Sequence, residues 1–429
     1  MKRNFPYFFK LSTINILLAV IYIGLFVYLL LQPPIYSPDT SSYVYTYIYR
    51  SPGYSVFLWA LQVVFGEFFD ILAVAIQLVF GFVAINILAS KIRAVLKMNL
   101  LSYLLLLGIL TFPYFAPLWI GNNVCSEGLA YPLFLFLVVY IFDFLFIEKN
   151  SKILYLSIVL VFLTLTRGQF IILIPIVIFL YILKERKNIL RRPKIFHLLV
   201  LLILPFIIQT LDRTYHKIVH DIYVSTPFTF VNAITLPFFV SKEKDIEKIK
   251  DADQRALFFI TYHDIDSLGL LSSKIEGNSK AEYETFYKYF PTICNAIYHK
   301  KGMAYFADRS RLPNMKAVWP EEAAKGMMPA LIKNNFEKYI ILLFEGIFKG
   351  FYGIVPFLIA FLLFLYSLTK TIRKWSVENG VILTGTVFIV SNAFLVAFAA
   401  IPILRYMIYN YFFVLLIVII LFRKLKRKT

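Results

Sequence analysis

The sequence predicts an all-α polytopic membrane protein with about ten transmembrane helices and one soluble insertion on the outer side. Three observations carry this. Of 429 residues, 60% are hydrophobic and 16% charged, against roughly 45–50% and 25% in soluble domains. The apolar residues fall into runs of about 20, the length a helix needs to cross a hydrocarbon core about 30 Å thick. The net charge of +19 gathers in short segments between those runs. This composition excludes a soluble enzyme, a disordered chain and a fibrous repeat.

The first run, Leu11–Leu31, follows Lys2, Arg3 and Lys10 and leads into Gln32-Pro33-Pro34. It has no small-x-small cleavage site, so it reads as an uncleaved span with a cytoplasmic N-terminus. Further spans are expected at 71–90, 100–118, 127–147, 195–211, 351–369, 378–398 and 404–422. The stretch 153–183 is one long span or two short ones broken at Thr166-Arg167-Gly168. Charge decides. Residues 184–194 carry six Lys/Arg, and only two crossings keep them on the cytoplasmic side with Lys149 and Lys152.

On this topology the short cytoplasmic segments hold 22 of the 44 Lys/Arg. The short outer segments hold only Arg50, Arg167 and Arg405. Loop 212–350 holds 19, nearly balanced by 17 Asp/Glu. The basic excess therefore orients the chain in a bilayer, and no nucleic-acid partner is expected. The expected units are a transmembrane module, 1–211, with a first outer loop at 32–70; an outer, periplasmic domain, 212–350; and C-terminal helices with a basic cytoplasmic tail, 351–429. Basic short loops fit a bacterial inner membrane with both termini cytoplasmic. Ser55–Phe69 and Phe336–Lys349 have the pattern of helices lying on the membrane. Cys125 and Cys294 are too few for a disulfide framework. Both are expected outside, with Cys294 open to an impermeant thiol reagent.

Charge beside apolar runs marks the candidate site, because such groups are costly there. Asp39, in Ser37-Pro38-Asp39-Thr40, is a functional carboxylate or the cap of a short helix starting at Thr40. Arg50 precedes Ser51-Pro52-Gly53-Tyr54 and otherwise reads as a solvated turn residue. Glu127 opens the fourth span, where an acidic group also suits the helix dipole. Only 14 residues, Ile153–Thr166, precede Arg167, which puts this cation below the outer surface. An anionic ligand is favoured as its partner over an internal salt bridge to Glu127 or Asp143. Arg405, beside Tyr406, also suits a snorkelling residue with an aromatic-belt neighbour. Tyr43, Tyr45, Tyr47 and Tyr49 alternate, either as belt anchors or as a stacking surface for a sugar. Asp212, His216 and His220 recur at helical spacing, a weak metal signal set against a solvated helix face.

Taken in order, Ser-Pro-Asp39-Thr, Arg50-Ser-Pro52-Gly53-Tyr54, Ser126-Glu127, Leu165-Thr-Arg167-Gly168 and Arg405-Tyr406 resemble the membrane-embedded GT-C glycosyltransferases. The similarity is to the family 39-like group of protein O-mannosyltransferases and lipid A aminoarabinose transferases. It covers the first 210 residues best and the last span in part. The usual acidic pair of the first loop is here Asp39 followed by Thr40, and loop 212–350 resembles no known domain. The resemblance implies a GT-C-like fold and a glycosyltransferase that moves a hexosyl or pentosyl unit from a polyprenyl-phosphate donor to a lipid, glycan or protein acceptor on the outer face. It implies Asp39 and Glu127 as catalytic groups, Asp39 being the general base. Arg50, Arg167 and Arg405 would bind donor phosphate, and Tyr43, Tyr54 and Tyr406 would contact sugar or acceptor. A divalent metal is left open. Competing readings are a transporter or flippase of lipid-linked sugars, using the same arginines without chemistry, and a membrane polysaccharide polymerase or ligase.

Overall fold

The structure is a computed structural model that describes residues 13–147, 152–309 and 312–426. The expected start of the first span at Leu11, and Lys2, Arg3, Lys10, Lys149, Arg427 and Lys428 of the charge argument, lie outside the described residues. Among the described residues there is no strand, only an isolated parallel bridge between Ile35 and Asn123.

Seven helical stretches among the described residues are long and apolar enough to cross a membrane. The first, Pro52–Leu96, contains α3 (Pro52–Phe65) and α4 (Phe69–Leu96). The others contain α6 (Glu127–Ile141), α8 (Leu173–Glu185), α9 (Arg192–His220), α17 (Ile354–Arg373), α18 (Val377–Ala399) and the pair α19 (Leu404–Met407) and α20 (Tyr411–Lys426). Three expected spans are shorter apolar helices: α1 (Thr13–Leu30), α5 (Leu100–Thr111) and α7 (Lys152–Thr166). The protein is thus an all-α polytopic membrane protein. Phe206, Leu358 and Leu362 are exposed on α9 and α17, as lipid-facing side chains are.

The break expected within 153–183 is present. Arg167 leaves the helix with extended backbone, φ −147° and ψ 109°, and a 3₁₀ turn at Gly168–Ile172 leads into α8. Two boundaries differ from expectation. Helix α9 has 29 residues, about 43 Å at 1.5 Å each, and runs to His220 rather than 211. Its last turns are amphipathic, so apolar content alone misses them. The Ser55–Phe69 helix is observed as α3, but one face buries Tyr54, Leu58 and Leu61 against α4 and α7.

The insertion is helical: α10 (Thr229–Ala233), α11 (Thr235–Phe239), α12 (Ala252–Ser267), α13 (Ser279–Pro291), α14 (Lys300–Tyr305), α15 (Met315–Asn334) and α16 (Phe336–Gly350). Its core gathers Phe238, Phe239, Phe286, Tyr298 and Met327, and takes in Ile401 from the turn before α19. The first loop joins it through Ile48, which packs with Ile222, Ala317 and Val318. Cys294 is fully buried in this core, its Sγ 3.2 Å from Asn232 Oδ1. Cys125 is buried as well. The expectation that a reagent reaches Cys294 in the folded protein is therefore corrected.

The metal reading of α9 fails as well. Asp212 accepts hydrogen bonds from Thr226 N and Oγ1, both 2.8 Å, and His216 contacts the same threonine at 3.1 Å. These side chains fasten the end of α9 to the irregular segment that follows it. Among the described residues no group of three or more His, Cys, Asp or Glu is placed to hold a metal.

Candidate functional site

The first loop turns back at α2 (Thr40–Val44). Asp39 occupies the N-cap position, yet its side chain caps nothing. Its carboxylate instead accepts from Arg50 Nη2 at 2.6 Å and from Arg405 Nη1 at 3.0 Å. Arg50 Nε donates to Ser42 Oγ at 2.7 Å, which fixes the guanidinium over the Tyr43 ring at 4.7 Å. The second carboxylate, Glu127, is the first residue of α6 and is buried. Arg167 Nη1 lies 2.5 Å from its Oε1. The same nitrogen donates to Ser126 Oγ at 3.1 Å, and the Tyr43 hydroxyl donates to that oxygen at 3.0 Å. Arg405 joins the two halves: its Nε stands 3.7 Å from Glu127 Oε1. Arg167 and Arg405 both face the Tyr406 ring, at 5.2 and 5.3 Å.

Close backbone approach makes this possible. A Cβ on Gly53 would lie 2.7 Å from Thr166 Oγ1 and 2.8 Å from its backbone nitrogen. Only glycine lets the first turn of α3 meet the end of α7, which carries Arg50 and Arg167 to the same place. Pro52 starts α3 where its missing N–H costs nothing. Gln77, fully buried on α4, braces the frame. It accepts from the Tyr54 hydroxyl at 2.8 Å and donates to Gly121 O at 2.9 Å, ahead of Ser126 and Glu127.

No protein-family model, no curated protein and no solved structure matches this chain.

All five charged residues singled out in the sequence thus meet at one end of the bundle. The aromatic expectations divide. Tyr406 is half-buried at the site, Tyr43 is buried beneath Arg50, and Tyr54 is fully buried with its hydroxyl on Gln77. Tyr54 therefore belongs to the frame, not to a ligand contact. The partner of Arg167 is internal. Glu127 pairs with it, while Asp143 pairs with Lys91 at 2.6 Å. This corrects the expectation that an anionic ligand supplies its counter-charge.

Three guanidiniums against two carboxylates leave one positive charge in excess. The charges form a graded pair of layers: side-chain exposure is 6% for Glu127 and 11% for Arg167, but 34% for Arg405 and 27% for Asp39. Arg405 Nε is buried and faces Glu127 without a full hydrogen bond, so it is the exposed part of the Arg405 side chain that an anion can approach. Burial pushes the Asp39 carboxyl up, but Arg50 and Arg405 outweigh that and hold it below its ordinary 3.8. It is an anion at neutral pH. Each carboxylate faces guanidiniums, a donor set that repels a cation, so these residues do not fit a resident divalent metal.

Sequence reasoning gave no role to three participants. Gln77 is one of two amides, with Asn86, in the 28-residue apolar helix α4, and an amide in such a run is a signal. Ser126 is ordinary in type. His299 comes from the insertion, where nothing in composition distinguishes it. It lies 5.3 Å from Tyr49 and 4.9 Å from Phe228, ring to ring. Burial, and then the nearby Arg50, push its imidazole down to about 4, so it is neutral at physiological pH.

Proposed function

We propose that this protein is an integral-membrane glycosyltransferase of GT-C type. It would carry a sugar from a polyprenyl-phosphate donor to an acceptor on the outer face of a bacterial inner membrane. The observation that carries this reading is the convergence of Asp39, Arg50, Glu127, Arg167 and Arg405. They come from separate segments, Asp39 and Arg405 being 366 positions apart in the chain. Such a cluster, cationic by one charge and open at Arg405, suits a phosphodiester whose leaving group gains negative charge as the glycosidic bond breaks. The basic short loops support ten spans with both termini cytoplasmic and the site outside. A groove of about 810 Å³ between α1 and α4, lined by Leu18, Tyr22, Phe26, Val79, Phe82 and Asn86 among others, offers room for part of an isoprenoid chain.

The reaction follows from these parts. The acceptor hydroxyl attacks the anomeric carbon, and the bond from that carbon to the phosphate oxygen breaks. Polyprenyl phosphate departs with the bonding electrons, held by Arg405 and Arg50. The hydroxyl proton passes to Asp39. Glu127 keeps Arg167 in place behind the reacting atoms.

Single-turnover transfer from a synthetic polyprenyl-phosphate sugar, with the purified protein in lipid nanodiscs, tests this. Sugar release or transfer that depends on Asp39 supports it. Movement of intact donor across vesicles without bond cleavage would establish the flippase instead. Neither donor binding nor cleavage would leave the cluster as an ion network that only holds the helices together.

A further inference from the structure

We infer that Tyr45 and Tyr47 form a stacking platform for a sugar ring of the acceptor, which makes the acceptor a glycan or glycolipid. The inference rests on the transferase reading above and names the second substrate of that site. Tyr45 is 69% and Tyr47 44% exposed. Their rings stack at 6.4 Å with an interplanar angle of 27°. The row continues inward. Tyr47 meets Tyr49 at 5.5 Å, and Tyr49 meets Phe228 of the insertion at 5.5 Å. The Arg50 guanidinium, itself bonded to Asp39, faces the Tyr49 ring at 5.6 Å. An aromatic path thus leads from solvent to the proposed base.

The backbone holds the pair in place by an unusual turn. Helix α2 ends with Tyr47 N bonded to Ser42 O at 2.9 Å and Thr46 N bonded to Tyr43 O at 3.2 Å. This is the Schellman arrangement, whose left-handed position normally takes glycine. Here that position is Thr46, with φ 50°. A β-branched residue is strained there. The turn sets Tyr45 and Tyr47 side by side within eight residues of Asp39. Strain of this kind persists where neighbouring structure enforces it, and it clusters at ligand sites.

The chemistry of two exposed phenol rings selects the ligand. A sugar ring presents a face of C–H groups with slight positive character and a rim of hydroxyls. The C–H face matches the electron-rich face of tyrosine, and the phenol hydroxyls can reach the rim. A membrane belt is the competing use of tyrosine. Belt rings stand against lipid, whereas this row ends under protein: Ile48 and Tyr49 pack with Ile222, Val224 and Val318 at the insertion.

The test uses the full-length protein in nanodiscs, with neutral trisaccharides of glucose, mannose and N-acetylglucosamine as probes. Saturation-transfer NMR reads their binding, and polyprenyl phosphate binding is read separately. At least one trisaccharide should bind. Tyr45→Ala/Tyr47→Ala should weaken it at least about tenfold, and Tyr45→Phe/Tyr47→Phe should retain it. Tyr45→Ala alone, at the more exposed ring, guards against misfolding and should still weaken binding. Polyprenyl phosphate binding should be the same in all variants. Absence of trisaccharide binding, or binding indifferent to the alanine changes, overturns the platform. So does a serine-containing peptide that binds in a tyrosine-dependent way when no trisaccharide does. Tyrosine-dependent sugar binding by a protein that ignores polyprenyl phosphate would sink the donor reading and leave the platform standing.

Discussion

Arg405 Nη1 stands 3.0 Å from Asp39 Oδ2, so the residue proposed to meet the donor phosphate also restrains the proposed base. A phosphate that draws Arg405 toward itself removes part of the positive field on Asp39. The carboxylate then becomes a better proton acceptor when the donor arrives. Donor binding and base strength are linked through one guanidinium.

The pH profile should show this. In the free protein the Asp39 carboxyl is held below 3.8. A depressed carboxyl stays ionised as pH falls to that value, so kcat/KM, which reports the free enzyme, should keep its level down to about pH 4. The acid limb of kcat, which reports the complex, should lie at higher pH. Coincident limbs would show that Arg405 does not couple the two events.

Asp39→Asn keeps the shape but removes the basic oxygen. Turnover should fall at least about 100-fold. Donor affinity should hold or rise, because Arg50 and Arg405 lose a competing anion. Single-turnover transfer and equilibrium binding, measured on the same preparation, separate the two effects. Near-normal turnover would remove Asp39 from the chemistry and direct attention to Glu127.

Arg167→Gln should act mainly on stability. It leaves Glu127 buried with only the longer contact to Arg405 at 3.7 Å, and breaking a buried pair by removing one partner costs up to about 3–5 kcal/mol. Arg167→Gln/Glu127→Gln should recover much of that loss, since no uncompensated charge remains. Thermal unfolding in nanodiscs reads both. If the single change leaves the unfolding temperature alone and abolishes donor binding, Arg167 is a ligand contact after all.

Gly53→Ala should weaken the whole site from a distance. Its new methyl would press on the Thr166 backbone, and overpacking of this kind costs about 1–3 kcal/mol. Transfer should fall along with the unfolding temperature. An unchanged Gly53→Ala protein would mean that α3 and α7 can separate without harm.

Neither native cysteine can report the topology, because both are buried. Ser273 is exposed on the insertion, so Ser273→Cys is the better probe. An impermeant thiol reagent should label it on intact cells. Labelling only after permeabilisation would place the insertion in the cytoplasm and reverse every orientation proposed here.

The sequence made the site positions legible because charge is scarce in this chain, and Arg50, Arg167 and Arg405 are the only cations outside the basic loops and the insertion. The pairing was not legible. Whether Arg167 meets Glu127 or Asp143 depends on which helix ends adjoin, and both carboxylates lie in the same apolar run. Tyr54 misled because aromatic residues near a site look alike in sequence, whether they face a ligand or brace a helix. The break at Arg167 was legible from charge alone. The true end of α9 was not, because its last turns are polar on one side.

Chain order has a consequence for synthesis. A chain emerging N-terminus first presents Asp39, Arg50, Glu127 and Arg167 early, but Arg405 belongs to the last helical stretch, and the insertion's core waits on Ile401. A product truncated before the final span would lack both the guanidinium that bridges the carboxylates and a side chain that closes the insertion. Incomplete chains would therefore be silent in the membrane rather than partly active.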